Sequence, residues 1–411
     1  HIAKKLLFYL ETCLPFKELD SSQFFQDILL DINNIKSDDF TPYVLRSDAQ
    51  GKTWVSIASD LPKNEAVHTI AQDPVEQSLL FVGTEMGFYF TVNGGVQWIK
   101  LGSGLPDIAV RDIAIQEREK DLVIATFGRG FYILDDYSSL RDVTEEVIEN
   151  SNAIIFPIKN AKMFIKSGNG RYGTGSGYYQ AQNPDFGAVF TYYLKDVPKS
   201  LKSQRLKKEK KLFKDGEPIP QPSKKMMDAE NNEKGPYLIF TIRDNNGGII
   251  KKIHKKASKG ISRFTWDMRY RSVSPVRLKN NKFDSMNTGS KSLRALPGKY
   301  TVSMEMYHNG QVEELAGPVE FNTVVLENTS LPDPDPIASQ EFYKRVSELR
   351  RVMTATMKYR EELSTKTAYI QQAIQNMVDP SVEMQGEMYE ISLELDSIAF
   401  LFSGTPAKAS W

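Results

Sequence analysis

The sequence has one cysteine, Cys13, in 411 residues, which excludes an internal disulfide and a cysteine-ligated zinc cluster. Its four histidines, His1, His68, His254 and His308, are scattered without metal-ligand spacing, so neither a metal nor a cofactor is expected. Lysine plus arginine equals aspartate plus glutamate at 52 each. That balance removes the usual electrostatic case for nucleic acid or an anionic membrane as partner. No apolar run reaches the roughly 18 residues a membrane-spanning helix needs. Gly-x-Ser-x-Gly, His-Glu-x-x-His and EF-hand patterns are missing, as is a nucleophile beside an activating base. Two lysines ahead of a short apolar run near His1 have the outline of an export signal. Glu11 and the lack of a small-residue cleavage site point instead to an ordinary amphipathic segment.

What is present is a pattern written twice, 44 positions apart (47 to 91). The first copy holds Ser47, Gly51, Thr53 and Trp54; the second holds Thr91, Asn93, Gly95 and Trp98. Each is followed by Leu-Pro, then a short apolar strand (AVHTIA, AVRDIA), a polar turn, and a strand carrying Gly-Phe-Tyr. Residues 16–34 carry a degraded earlier copy with ILLDIN as its strand. A self-similar unit of forty-odd residues built from short strands marks a propeller blade or related array. Within each turn the hydroxyl bonds nearby amides, the glycine takes the left-handed backbone, and the tryptophan plugs the hairpin.

These turns resemble the Asp-box (BNR) repeats, Ser-x-Asp-x-Gly-x-Thr-Trp, of sialidases, xyloglucanases and sortilin-type propellers. The segments DDFTPYVLRS and LVIATFGRGFYILDDYSSLR resemble those of bacterial secreted sortilin-like or glycosyl-hydrolase-like proteins. The box aspartate is replaced by Ala49 in one copy and Asn93 in the other, and Asp48 sits one place too early. The resemblance implies a secreted, periplasmic or cell-envelope location. A propeller needs at least four blades to close, so the remaining blades are expected elsewhere in a parent chain. The sequence begins without methionine and stops at PAKASW, which reads as a piece of a longer protein.

Past Arg141 the pattern stops, and a short connector leads into strands such as AVFTYYL, PYLIFTIRD and KYTVSMEMY with Gly/Asn turns. That density predicts an immunoglobulin- or fibronectin-like β-sandwich. PYLIFTIRDNNGGIIKKI reads as a hairpin. A Gly- and Tyr-rich loop with Tyr172, Tyr178 and Tyr179 lacks the helix and the Gly-Lys-Ser/Thr of a phosphate cradle. The charged stretch 195–234 reads as a solvated, mobile insertion. Beyond the prolines near Leu331, Phe342, Val346, Leu349, Met353 and Met357 fall on one helical face, and Pro380 separates a second helix. These apolar faces are expected to be core. The expected fold is therefore mainly β: an incomplete Asp-box β-propeller (1–141), a β-sandwich (142–330) and a C-terminal α-helical hairpin (331–411).

Glycosidases need two carboxyl groups facing one sugar bond. The repeat region offers Asp38, Asp39, Asp73, Glu85, Asp107, Asp112, Asp135 and Asp136, and no spacing singles out a pair. Arg111, Arg129 and Tyr132 do not make a sialidase's arginine cluster and nucleophile. Glu85 and Arg129 sit at nearly matching positions of the repeat, near strand ends, and are the candidate ligand-binding residues. The expected function is a binding or scaffold protein recognising a peptide or glycan. The alternative is a glycoside hydrolase whose carboxylates lie mostly on blades outside this sequence. A third reading makes the helical hairpin an interaction module.

Overall fold

The computed structural model describes residues 28–47, 51–102, 104–164, 181–274, 292–326 and 333–404. Cys13, Asp48, Ala49, Tyr172, Tyr178 and Tyr179 lie outside them. The chain forms two compact units, His1–Asn150 and Ser151–Trp411. It is mainly β, with several sheets and a few helices, the two longest at its C-terminal end.

Among the described residues, the first unit holds three antiparallel sheets in chain order. The first contains β1 (Ile28–Asn34), β2 (Asp39–Ser47) and β3 (Val55–Ser56). The second contains β4 (Val67–Gln72), β5 (Leu80–Thr84), β6 (Gly87–Thr91) and β7 (Ile99–Lys100). The third contains β8 (Val110–Gln116), β9 (Asp121–Thr126) and β10 (Gly130–Leu134). Val44, Ile57 and Leu61 pack against Val67, Leu80, Val82, Tyr89 and Trp98. Phe81, Phe88 and Phe90 pack the other way, against Val110, Ile113, Leu122 and Ile124. The middle sheet is thus covered on both faces, which is why β5 and β6 are apolar without alternation. Gly83 permits the closest approach: a Cβ there would lie 2.6 Å from Val110 Cγ1 and 2.8 Å from its carbonyl oxygen.

The repeated turn closes alike in both copies. The Gly51 amide donates to Ser47 Oγ at 2.8 Å, and the Gly95 amide to Thr91 Oγ1 at 3.1 Å. Both glycines are left-handed, at φ 80° and 91°. Asn93 Oδ1 accepts from the Gln97 amide at 3.0 Å, so an amide oxygen supplies an acceptor where the resembled box has a carboxylate. Trp98 is buried and its Nε1 donates to the Ile57 carbonyl at 2.8 Å, tying the second sheet to the first. Trp54 is half-buried and Thr53 exposed. The segment after β10 is not a bare connector: it forms a 3-10 turn (Tyr137–Asp142) and α1 (Glu145–Asn150). Asp136 caps that turn through Ser138.

The register of the repeat exposes a difference between equivalent residues. GFYF in β6 aligns with GFYI in β10, so Phe88 and Phe90 correspond to Phe131 and Ile133. The first pair is buried against the third sheet; the second pair is 75% and 61% exposed.

In the second unit, β11 (Ala153–Ile155), β12 (Ala161–Met163) and β13 (Ala188–Leu194) precede α2 (Leu201–Asp215) and α3 (Lys224–Asn232). Then follow β14 (Tyr237–Asp244), β15 (Ile249–Lys256), β16 (Gly260–Trp266), β17 (Gly298–His308) and β18 (Gln311–Val325). One sheet runs β11-β13-β16 and the other β12-β18-β17-β14-β15. Phe190, Phe240, Phe264, Trp266, Val302, Met304 and Phe321, drawn from both sheets, share one core. The β14–β15 hairpin turns where Asp244 Oδ1 accepts from the Asn246 and Gly248 amides.

The stretch 195–234, expected as a solvated insertion, is mostly helical. Ser200 and Ser223 cap α2 and α3 by accepting from the Ser203 and Met226 amides. Arg205 donates to both carboxylate oxygens of Glu230, at 2.6 and 2.9 Å, and to Glu209 at 2.7 Å. Neither helix contains a buried residue, so the order comes from caps and ion pairs rather than a core.

The chain ends in α4 (Pro336–Gln375) and α5 (Val382–Ser403). Thr367, Ile374 and Leu395 are buried, and Gln371 Nε2 donates to Ser392 Oγ at 3.0 Å across the pair. The expectation that the apolar face of the first helix is core fails over its N-terminal half. Phe342, Val346, Leu349 and Met353 are all exposed, because α5 is too short to reach them.

Candidate functional site

The first strands of the three sheets, β1, β4 and β8, are edge strands that lie beside one another. Each contributes a polar side chain to one cluster. His68, from β4, is the centre, its side chain only 5% exposed. Its Nε2 lies 2.5 Å from Glu85 Oε2, in the turn between β5 and β6. Its Nδ1 lies 2.7 Å from Asn33 Nδ2, on β1.

The tautomer follows from a third contact. Asn33 Oδ1 accepts from the Ile35 amide at 3.1 Å, which turns the Asn33 NH2 toward the imidazole. His68 Nδ1 must then accept, leaving Nε2–H to donate to the Glu85 carboxylate. Both ring nitrogens of His68 therefore have a partner, Asn33 on one side and Glu85 on the other.

Arg111, from β8, completes the cluster. Its Nη1 lies 3.1 and 3.2 Å from the two imidazole nitrogens. Near-equal distances place it over the ring rather than in line with either lone pair. Its Nη2 lies 3.5 Å from Glu85 Oε2, and its guanidinium carbon 5.3 Å from the centre of the exposed Phe127 ring. Asp31, two residues before Asn33 on β1, has its carboxyl pKa raised by burial, which its own backbone hydrogen bond only partly opposes.

The cluster can do two things chemically. Glu85 and Arg111, 31% and 42% exposed, offer acceptors and donors side by side, as hydroxyl- or amide-bearing ligands require. Phe127 adds an open aromatic face beside them. Of the two residues singled out from sequence, Glu85 lies in the cluster. Arg129 lies in the β9–β10 turn, exposed and without an ion pair among the described residues. Sequence reasoning missed His68, Asn33 and Arg111 as a group. The available signal was that His68 and Arg111 occupy the same position of AVHTIA and AVRDIA.

Two other carboxylates of the repeat, Asp73 and Asp39, are held by hydrogen bonds within the fold. Asp73 is 2% exposed and accepts from Tyr137 Oη, Arg141 and the amides of Val75 and Glu76. Asp39 accepts from the Thr41 amide and Tyr43 Oη, contacts that pull its pKa down to about 2. Among the described residues no group of three or more His, Cys, Asp or Glu is placed to hold a metal, and no helix is long and apolar enough to cross a membrane.

No family model matches the chain, and no curated protein matches it. Solved structures similar to it include the extracellular domain of a B. thetaiotaomicron protein described as a hybrid two-component system, at 10% identity and TM-score 0.21, covering 73% of this chain and 31% of that one. A second such domain from the same organism is 7% identical at TM-score 0.19, covering 69% and 29%. This chain spans less than a third of the length of either.

Proposed function

We propose that this is a secreted or cell-envelope binding protein that recognises a peptide or glycan through the cluster on β1, β4 and β8. The observation that carries the reading is the convergence of Asn33, His68, Glu85 and Arg111 from three sheets, with Glu85 and Arg111 left open to solvent. Packing alone does not call for a charged pair where these sheets adjoin. In this reading the three sheets are consecutive blades of an Asp-box propeller of the sortilin-like kind, and the two sheets of the second unit are the layers of a sandwich. The exposure of Phe131 and Ile133, where Phe88 and Phe90 are covered, supports a further blade of the parent chain on the third sheet. The proposed segments are 1–141, 142–330 and 331–411. Arg129, in the turn equivalent to that of Glu85, is proposed as a peripheral contact.

The test is an array of glycans and peptides probed with the protein. Selective retention of one chemical class supports the reading, and no retention on either array counts against it.

One observation favours a second reading, a glycoside hydrolase. Burial raises the Asp31 carboxyl pKa, and Glu85, beside the same imidazole, pairs with His68. Carboxyl groups whose environments separate their protonation are what acid–base cleavage of a sugar bond needs. Release of reducing ends from a β-glucan or a sialoside, lost in Asp31→Asn and Glu85→Gln, would favour it over binding alone.

A further inference from the structure

The two C-terminal helices do not match in length. α4 has 40 residues and α5 has 22, about 60 and 33 Å at 1.5 Å per residue. α5 therefore covers only the C-terminal half of α4. There it lies on the face defined by Ser364, Thr367, Gln371 and Ile374. Extended toward the N-terminus at three- and four-residue steps, that stripe continues through Met357, Met353, Leu349, Val346 and Phe342. Near its start α4 touches its own unit with the opposite side: Gln340 donates to Tyr270 Oη at 3.2 Å and Lys344 lies over the Tyr270 ring. The bare stripe faces away from that contact. Where covered and bare halves meet, Val346, Leu349, Met353, Met357 and Phe402 line an apolar cavity of about 470 Å³.

α5 is likewise half-used. Leu395 is buried against α4, whereas Val382, Tyr389, Leu393 and Phe400, on the far side of the same helix, are exposed. A helix apolar on both sides is one that is packed on both sides. The charges are complementary as well. α5 carries Glu383, Glu387, Glu390, Glu394 and Asp396 and no lysine or arginine. On the bare half of α4, Arg345 and Arg350 flank the stripe, while Arg351 is paired with Glu348 on the same helix.

We propose that a second copy of this chain covers the bare half of α4 with its own α5, and that the contact is reciprocal. Antiparallel α4 helices crossing near Thr356 place each short acidic helix on the C-terminal half of its own α4 and the N-terminal half of its partner's. The result is a two-fold, isologous four-helix layer. The length ratio of nearly two to one is what allows two α5 helices to fill one α4 stripe end to end. Within one chain the far side of α5 cannot fold back onto that stripe, because the near side already holds it.

Sedimentation equilibrium of the whole chain tests this, with far-UV circular dichroism to confirm helix content. Wild type is expected to be a dimer. Leu349→Glu and Leu393→Lys, both at exposed positions, are expected to shift it at least tenfold toward monomer with unchanged helix signal. Arg345→Glu with Arg350→Glu is expected to weaken the dimer, and Glu390→Lys with Glu394→Lys added to the same chain to restore it. A monomeric wild type at tens of micromolar would overturn the proposal. So would a dimer indifferent to Leu349→Glu and Leu393→Lys, or charge reversals whose effects accumulate instead of cancelling.

Discussion

Asp73 Oδ2 accepts from Arg141 Nη2 at 2.8 Å, while Arg141 Nε lies 3.0 Å from Oδ1, a two-pronged pair 68 positions apart in the chain. It fastens the turn after the third sheet to the turn between β4 and β5 in the second. Tyr137 Oη adds a 2.6 Å bond to the same carboxylate. Burial opposes the charge on Asp73, but the bonds from Arg141, Tyr137 and two amides outweigh it and lower its pKa. Its side chain is fully shielded, so removing it strands the Arg141 charge. Asp73→Ala is expected to cost about 3–5 kcal/mol in chemical denaturation.

The same carboxylate sets an acid limit. Its folded pKa is depressed, so its contribution is whole above the ordinary aspartate value near 4 and fades as pH falls through the lower folded value. A midpoint series between about pH 6 and 2 is expected to show this loss in wild type and a smaller one in Asp73→Asn, whose side chain does not titrate in that range.

The two tryptophans of the repeat should respond differently. Trp98 is buried and its indole N–H satisfies the Ile57 carbonyl in the neighbouring sheet. Trp98→Phe leaves that acceptor unpaired and is expected to cost about 1–3 kcal/mol. Trp54, half-buried, should tolerate Trp54→Phe with a smaller loss, read by the same denaturation.

Gly83 and Gly95 are constrained for different reasons. Gly83 leaves room for Val110, and an added Cβ would meet backbone as well as side chain. Gly95 is left-handed and its Cβ would lie 2.7 Å from Ile57 Cβ. Alanine at either is expected to destabilise by more than about 1 kcal/mol. Gly128, also left-handed but with open space around it, is expected to show the smaller backbone cost alone.

What was legible in the sequence follows the range of the interactions. Ser47 to Gly51 and Thr91 to Gly95 are four-residue contacts, so the paired turns and their flanking strands read directly. The β14–β15 hairpin read for the same reason. The cluster around His68 did not, because its partners lie 35, 17 and 43 positions away and only sheet stacking brings them together. The helices within 195–234 were hidden by charge. Ser200 and Ser223 are local caps that could have been read, yet the Arg205–Glu230 pair that joins the helices is not local. The apolar stripe at Phe342–Met357 was seen, but periodicity identifies a face that wants cover without saying what covers it.

In the proposed function Glu85, in the β5–β6 turn, and Arg111, on β8, recognise the ligand together. The most direct test is the glycan and peptide array probed in parallel with wild type and Arg111→Ala, at matched thermal midpoints. The class retained by wild type is expected to lose at least tenfold in signal with Arg111→Ala. An identical binding profile from the two proteins would contradict it.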